Sequence, residues 1–160
     1  MADADPSPAL SAWRKLSGTA AGRWLFSRVV CFRAPYFASI HPVIETLEPG
    51  HAIASIKKRR SVTNHIGTVH AIAMANLCEL VAGTLTEISI PRSMRWIPRG
   101  MQISYLAKAA TGVTATGTFP AVQEEVAQDV VVPVDVVDQG GTRVVHADIT
   151  MYLTLRKPDS

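Results

Sequence analysis

Thr68-Val69-His70-Ala71-Ile72-Ala73-Met74-Ala75-Asn76-Leu77-Cys78-Glu79-Leu80-Val81-Ala82-Gly83-Thr84-Leu85 is the stretch around which the rest of the chain is arranged. From Val69 to about Leu85 the side chains are almost all small or apolar and cover every side of a helix. A helix apolar all round is buried all round, so the spacing predicts a core helix with Thr68 as its N-cap. The repeated alanines let a sheet approach that helix closely on several sides. Glu79 stands alone as a carboxylate in this otherwise oily rod.

On either side of the helix the periodicity changes. Val43 to Leu47 reads as a strand, Glu48-Pro49-Gly50-His51 as a turn, and Ala52 to Lys58 as the hairpin partner. Residues 59–66 read as a polar loop. After Pro91 the pattern has period two: Met101, Ile103, Tyr105 and Ala107 alternate with polar neighbours, and so do Val113, Ala115 and Phe119. Val145, Ala147, Ile149, Met151, Leu153 and Leu155 alternate with His146, Asp148, Thr150, Tyr152 and Thr154. These are antiparallel strands with one buried face. Asp138-Gln139-Gly140-Gly141 joins the last two as a hairpin, and Pro133 argues for an edge position or a bulge. Before all this, Leu10, Trp13, Leu16, Trp24, Leu25 and Val29 recur at helical spacing, with Gly18 and Gly22 weakening the middle. Residues 1–8, small and acidic, are expected to fray. The expected organisation is an α+β fold: a helical extension over 1–34, then one domain over 35–160 in which a curved antiparallel sheet wraps a central helix.

The totals agree with one such domain. The chain has 160 residues, 48% hydrophobic and 18% charged, which suits a single compact core. Lys and Arg exceed Asp and Glu by 16 − 13 = 3, a surplus too thinly spread for a nucleic-acid reader and adequate for a groove that receives an anionic small molecule. Cys31 and Cys78 sit apart in apolar runs and read as reduced core thiols rather than a disulfide frame. No secretory leader or uninterrupted bilayer-spanning run is apparent, so a cytoplasmic location is expected. The histidines and cysteines lack metal-ligand spacing, and neither a metal nor a cofactor is expected.

The chemistry is concentrated around the start of the central helix. Asn64 precedes His70 by six positions, and Glu79 follows His70 by nine. An amide, then a histidine at a helix start, then an acid within the helix resembles the hotdog acyl-CoA thioesterases, of the hydroxybenzoyl-CoA and phenylacetate-pathway types, over residues 40–156. That resemblance implies a hotdog fold and hydrolysis of an acyl-CoA thioester. Asn64 would position the thioester or the water, His70 would stand at the helix start, the Ala71 N–H would polarise the thioester carbonyl, and Glu79 would act as general base or nucleophile. The family usually has glycine where this chain has Ala71 and Ile72. Some members carry a hydroxyl where it has Gly83.

Elementary physics runs parallel to the resemblance. A helix N-terminus presents unpaired N–H groups and a positive dipole end to developing oxyanion charge. A carboxylate among apolar groups is driven toward the pKa of a base useful near neutrality. Nine helical residues span about 13.5 Å, so Glu79 and its own helix start cannot share one small site. Two copies related by a two-fold axis can, and a homodimer, or a tetramer built from it, is expected. Plainer readings exist for each residue: Glu79 as a solvent-facing or ion-paired group, His70 as a ligand of a backbone carbonyl, Asn64 as a turn former, Gly67 as a backbone requirement. Gly67, Ala71, Asn76 and Gly83 are the expected substrate contacts, with Asn76, one turn before Glu79, lining the pocket or orienting the acid. Lys57, Lys58, Arg59 and Arg60, or Arg92, Arg95 and Arg99, would meet the CoA phosphates. Trp13, Trp24 and Phe26 would pack the extension on the domain, roof an acyl tunnel or rest on a membrane surface. The rival from another class is a non-catalytic acyl-CoA or fatty-acid binding module on the same fold. A hydratase or dehydratase is the weaker third option.

Overall fold

A computed structural model describes residues 6–156. The central helix, α3, runs Ala71–Ser89, ending four residues beyond its apolar pattern. Its C-terminal turn carries Thr86, whose hydroxyl donates to the Ala82 carbonyl, so a polar residue is accommodated without leaving the core. The N-cap is His70 rather than Thr68: Nδ1 of His70 accepts from the Ile72 N–H at 3.0 Å. Thr68 is drawn instead into the preceding loop by Asn64. Leu77, Leu80 and Leu85 are fully enclosed, each worth about 1.5–3 kcal/mol relative to exposure.

Six strands form one antiparallel sheet in the order β1-β2-β4-β5-β6-β3. They are β1 Val43–Glu48, β2 His51–Ile56, β3 Met94–Tyr105, β4 Val113–Thr118, β5 Gln128–Asp138 and β6 Arg143–Leu155. The sheet curves around α3, which touches every strand. This is the hotdog architecture. Close approach is possible because β4 carries Gly117, where a Cβ would lie 2.7 Å from Val81 Cγ1. In the β5–β6 turn Asp138 Oδ1 accepts from the N–H groups of Gly140 and Thr142, both at 2.9 Å.

Two strand expectations need correction. Pro133 lies in an inner strand, between β4 and β6, and the bulge of β5 falls elsewhere, between Val136 and Val137. The chain tolerates it because the β4–β5 ladder stops at Gly117–Val134, one position short of it. On β3 the alternating face is not buried throughout. Met94 is enclosed, but Met101 and Tyr105 are 36% and 46% exposed, because β3 is an edge strand whose second half α3 leaves uncovered.

The N-terminal segment splits into α1 Pro8–Leu16 and α2 Ala20–Arg33, then a 3-10 turn, η1, at Pro35–Ile40. Ser7 and Thr19 cap the two helices through their hydroxyls. Ser7 is thus part of a cap rather than a frayed start, while residues 1–5 fall outside the described residues. Gly22 is required: a Cβ there would lie 1.8 Å from the Leu16 carbonyl oxygen. Leu10, Trp13 and Phe26 join the main core, the two rings meeting edge-on at 5.1 Å. Along α2 the buried face is Phe26, Ser27 and Cys31, whereas Trp24, Leu25 and Val29 face outward. Periodicity selected the wrong stripe because α2 is apolar on both sides. The one described helix long and apolar enough to cross a bilayer is α3, and the sheet encloses it.

Candidate active site

The loop before α3 is built by Asn64. Its Oδ1 accepts from the N–H groups of Ile66 and Thr68 at 3.2 and 3.1 Å, and its Nδ2 donates to Thr68 Oγ1 at 2.8 Å. A turn-former's work therefore occupies most of the amide, leaving one N–H to spare. Gly67 has φ +77° and an open Cβ position, which makes it a backbone requirement on the loop's outer side. A second 3-10 turn, η2 at Arg60–Val62, replaces part of the expected polar loop.

At the helix start, the Ile72 N–H goes to His70 Nδ1 and the Met74 N–H to the His70 carbonyl. Among the described residues the Ala71 and Ala73 N–H groups have no protein acceptor, so the first turn keeps free donors at its positive end. With Nδ1 accepting, neutral His70 carries its proton on Nε2, and the exposed ring can donate to an incoming carbonyl. The Ala71 carbonyl accepts from the Tyr105 hydroxyl at 3.3 Å, tying β3 to the helix start. Partial burial, and to a lesser degree Cys78, lift the Tyr105 phenol above its usual pKa.

A cleft of about 190 Å³ opens in front of this turn, lined by Tyr36, Ser39, Thr63, His70, Ile72 and Asn76 among others. Asn76 is 6% exposed. Its Nδ2 donates toward Ser39 Oγ at 3.3 Å, while its Oδ1 is buried without a partner. It faces η1 rather than Glu79. A larger cavity of about 350 Å³ lies at the opposite end of α3, between Ser7, Glu87, Arg92 and Arg156. Of the candidate residues only Arg92, one of the possible phosphate partners, borders it, and a helix C-terminus offers carbonyls rather than donors.

Glu79 is half-buried and lies on the incompletely covered stripe of α3, with Ala75 and the 55% exposed Ile72. It does not border the cleft of its own chain. Gly83 is covered by the indole of Trp96, whose Cη2 would stand 3.0 Å from a Cβ, and the Trp96 Nε1–H donates to Glu87 at 2.8 Å. Of the basic candidates, Arg99 is held by Asp129 at 2.9 Å and lies over Tyr152, its guanidinium carbon 3.9 Å from the ring centre. Arg95 is held by Thr154. Lys57 to Arg60 directly precede the cleft-lining Ser61 to Thr63. Among the described residues no three His, Cys, Asp or Glu side chains are grouped to hold a metal ion. Nothing in the residue pattern points to Tyr36, Ser39, Thr63 and Tyr105, since η1 and η2 have no periodicity and Tyr105 reads as an ordinary strand residue.

The crystal structure of genomics APC5556 is 42% identical over 92% of this chain and 98% of that one, with a TM-score of 0.81. A Pseudomonas aeruginosa protein of unknown function described as a probable thioesterase, PA5026, is 18% identical over 81% of this chain and 93% of its own, with a TM-score of 0.73. The thioesterase SAV0944 from Staphylococcus aureus is 16% identical over 75% and 98%, with a TM-score of 0.67; it was crystallised with a glutamine replaced by alanine, and also with a glutamate fifteen positions later replaced. No curated protein matches. A family model matches residues 22–153, nearly the whole described fold. The chain therefore belongs to the family described as domain of unknown function DUF4442, with the hotdog fold shared by thioesterase-family structures.

Proposed function

We propose that this protein hydrolyses an acyl-CoA thioester at composite sites formed by two copies. The observation that carries the reading is the arrangement on α3: a half-buried carboxylate on an uncovered stripe, and two N–H groups without protein acceptors at the start of the same helix. In a two-fold pair, Glu79 of one copy faces the Ala71–Ala73 turn of the other. The thioester carbonyl accepts from that turn, and from Nε2–H of His70. Glu79 takes a proton from water as the oxygen attacks the carbonyl carbon, or attacks that carbon itself. Either way the C–S bond breaks, and the CoA thiolate leaves and is protonated; after direct attack, water then cleaves the acyl–Glu79 anhydride, releasing the acid and restoring the carboxylate. Lys57, Lys58 and Arg60, exposed beside the cleft, meet the phosphates.

Three further points support this. Exposed apolar side chains on α3 and β3, namely Ile72, Met101 and Tyr105, supply a surface for the second copy. Asn64 and Glu79 are separated by 79 − 64 = 15 positions, the same separation as the glutamine and glutamate replaced in the Staphylococcus aureus thioesterase. The hotdog neighbours also include a Haemophilus influenzae thioesterase, HI1161.

The test is thiol release over a panel of acyl-CoA esters. Glu79→Gln should lower kcat/KM by about 10²–10⁴-fold while leaving the circular dichroism spectrum and melting temperature unchanged. Full turnover by that variant eliminates the assignment. Tight acyl-CoA binding without turnover by the wild type would leave the non-catalytic binding module.

A further inference from the structure

The outer face of α2 has no role in the site above. At about 100° per residue, Trp24, Arg28, Phe32, Leu25, Val29 and Arg33 follow one another around a single arc, opposite buried Phe26, Ser27 and Cys31. Trp24 is 55% exposed and Phe32 87% exposed, the latter the most exposed large apolar residue of the described chain. Tyr36, just beyond the helix, is also exposed. Arginines flank the apolar middle of the arc on both sides. Arg28 lies over the Trp24 ring, with its guanidinium carbon 5.8 Å from the centre.

The charge around this face is one-sided. From Pro6 to Ile44 there is no acidic residue, while Arg14, Lys15, Arg23, Arg28 and Arg33 give +5. The whole chain carries +3, so everything else sums to 3 − 5 = −2. Of these five, only Arg23 finds a carboxylate among the described residues, Glu45 at 3.7 Å. The positive field extends to η1: Arg59, burial and Arg28 together hold His41 below its usual pKa. Among the described residues Arg28 Nε and Arg59 Nη2 are buried without an acceptor, although Arg28 Nη2 donates to the Pro42 carbonyl. Exposed aromatic and branched side chains between arginines, with no competing acid, match a surface that is apolar inside and anionic outside.

We propose that the outer face of α2, continued by Tyr36, docks the protein on an anionic lipid surface. Trp24, Leu25, Val29 and Phe32 enter the boundary between headgroups and acyl chains, and the exposed Arg33 meets lipid phosphates, while Arg28, tied to the Pro42 carbonyl, adds its charge from beside Trp24. Only Tyr36 is shared with the cleft described above, and the docking does not require the thioesterase reading.

The experiment is co-flotation of the full chain with vesicles of equimolar phosphatidylglycerol and phosphatidylcholine, beside vesicles of phosphatidylcholine alone. Wild-type protein should float with the anionic vesicles only, with the Trp24 emission shifting to the blue and binding weakening as salt rises. Phe32→Ser should weaken binding about tenfold or more, and Arg33→Glu by roughly thirtyfold, since two charges are lost. Both side chains are exposed, so circular dichroism should be unchanged. Absence of flotation, equal flotation with neutral vesicles, or indifference to both substitutions overturns the proposal. So does a wild-type oligomer that Phe32→Ser dissolves, which would make a second copy the occupant.

Discussion

His70 serves two purposes that substitution can separate. Its Nδ1 caps α3 and its ring borders the cleft. His70→Ala should cost about 1 kcal/mol of stability, seen as a melting point lower by about 2–4 °C, together with activity. His70→Asn should restore the cap and the melting point while leaving turnover low. Recovery of both would reduce His70 to a cap. Cys78 makes a second residue-scale prediction. Burial, with a smaller push from Asp135, drives its thiol up from 9.0 to about 12. The folded state holds this proton more tightly, so the stabilisation is whole below pH 9 and is lost as the pH rises toward 12. It amounts to about 4 kcal/mol at most. Urea denaturation should show a steeper alkaline loss for the wild type than for Cys78→Ala, and a thiol reagent should react with neither Cys78 nor the buried Cys31 before unfolding. At this scale the sequence was informative about Glu79, whose type is out of place among apolar neighbours. It was silent on whether Asn64 holds a ligand or a loop, because the same amide chemistry suits both.

Among the elements, α3 and the sheet were legible because each has a strong period and a single burial solution. What sequence did not show was which of two apolar faces α2 would bury, where a 3-10 turn would replace a loop, and how far α3 would cover β3. Those depend on contacts distant along the chain. The tightest of these contacts is Gly117 beneath Val81. Gly117→Ala should destabilise the protein by about 1–3 kcal/mol, measured by urea denaturation. Gly83→Ala should cost less, because only the tip of the Trp96 indole has to move. A larger cost for Gly83→Ala would mean that the indole is fixed by its bond to Glu87.

At the scale of the molecule, the proposed chemistry requires a second copy. Ile72→Glu places a charge on the uncovered stripe of α3, where a buried unpaired charge is strongly unfavourable at an interface. Sedimentation should show this variant as a monomer and thiol release should show it inactive, with the fold intact. A monomeric and fully active variant would dismiss the composite site.

The edge position of β3 also governs what happens when the protein is concentrated. The strand is twelve residues long and hydrogen-bonded along one side only, the kind of border on which chains stack without limit. Pro98 offers no N–H to a newcomer, and the bulge between Pro98 and Gly100 bends the line. Only the half from Gly100 to Tyr105 pairs without a register shift, which shortens the regular border open to a newcomer. Pro98→Val should therefore accelerate aggregation seen by thioflavin fluorescence, and an unchanged lag time would show that the border is protected by something else.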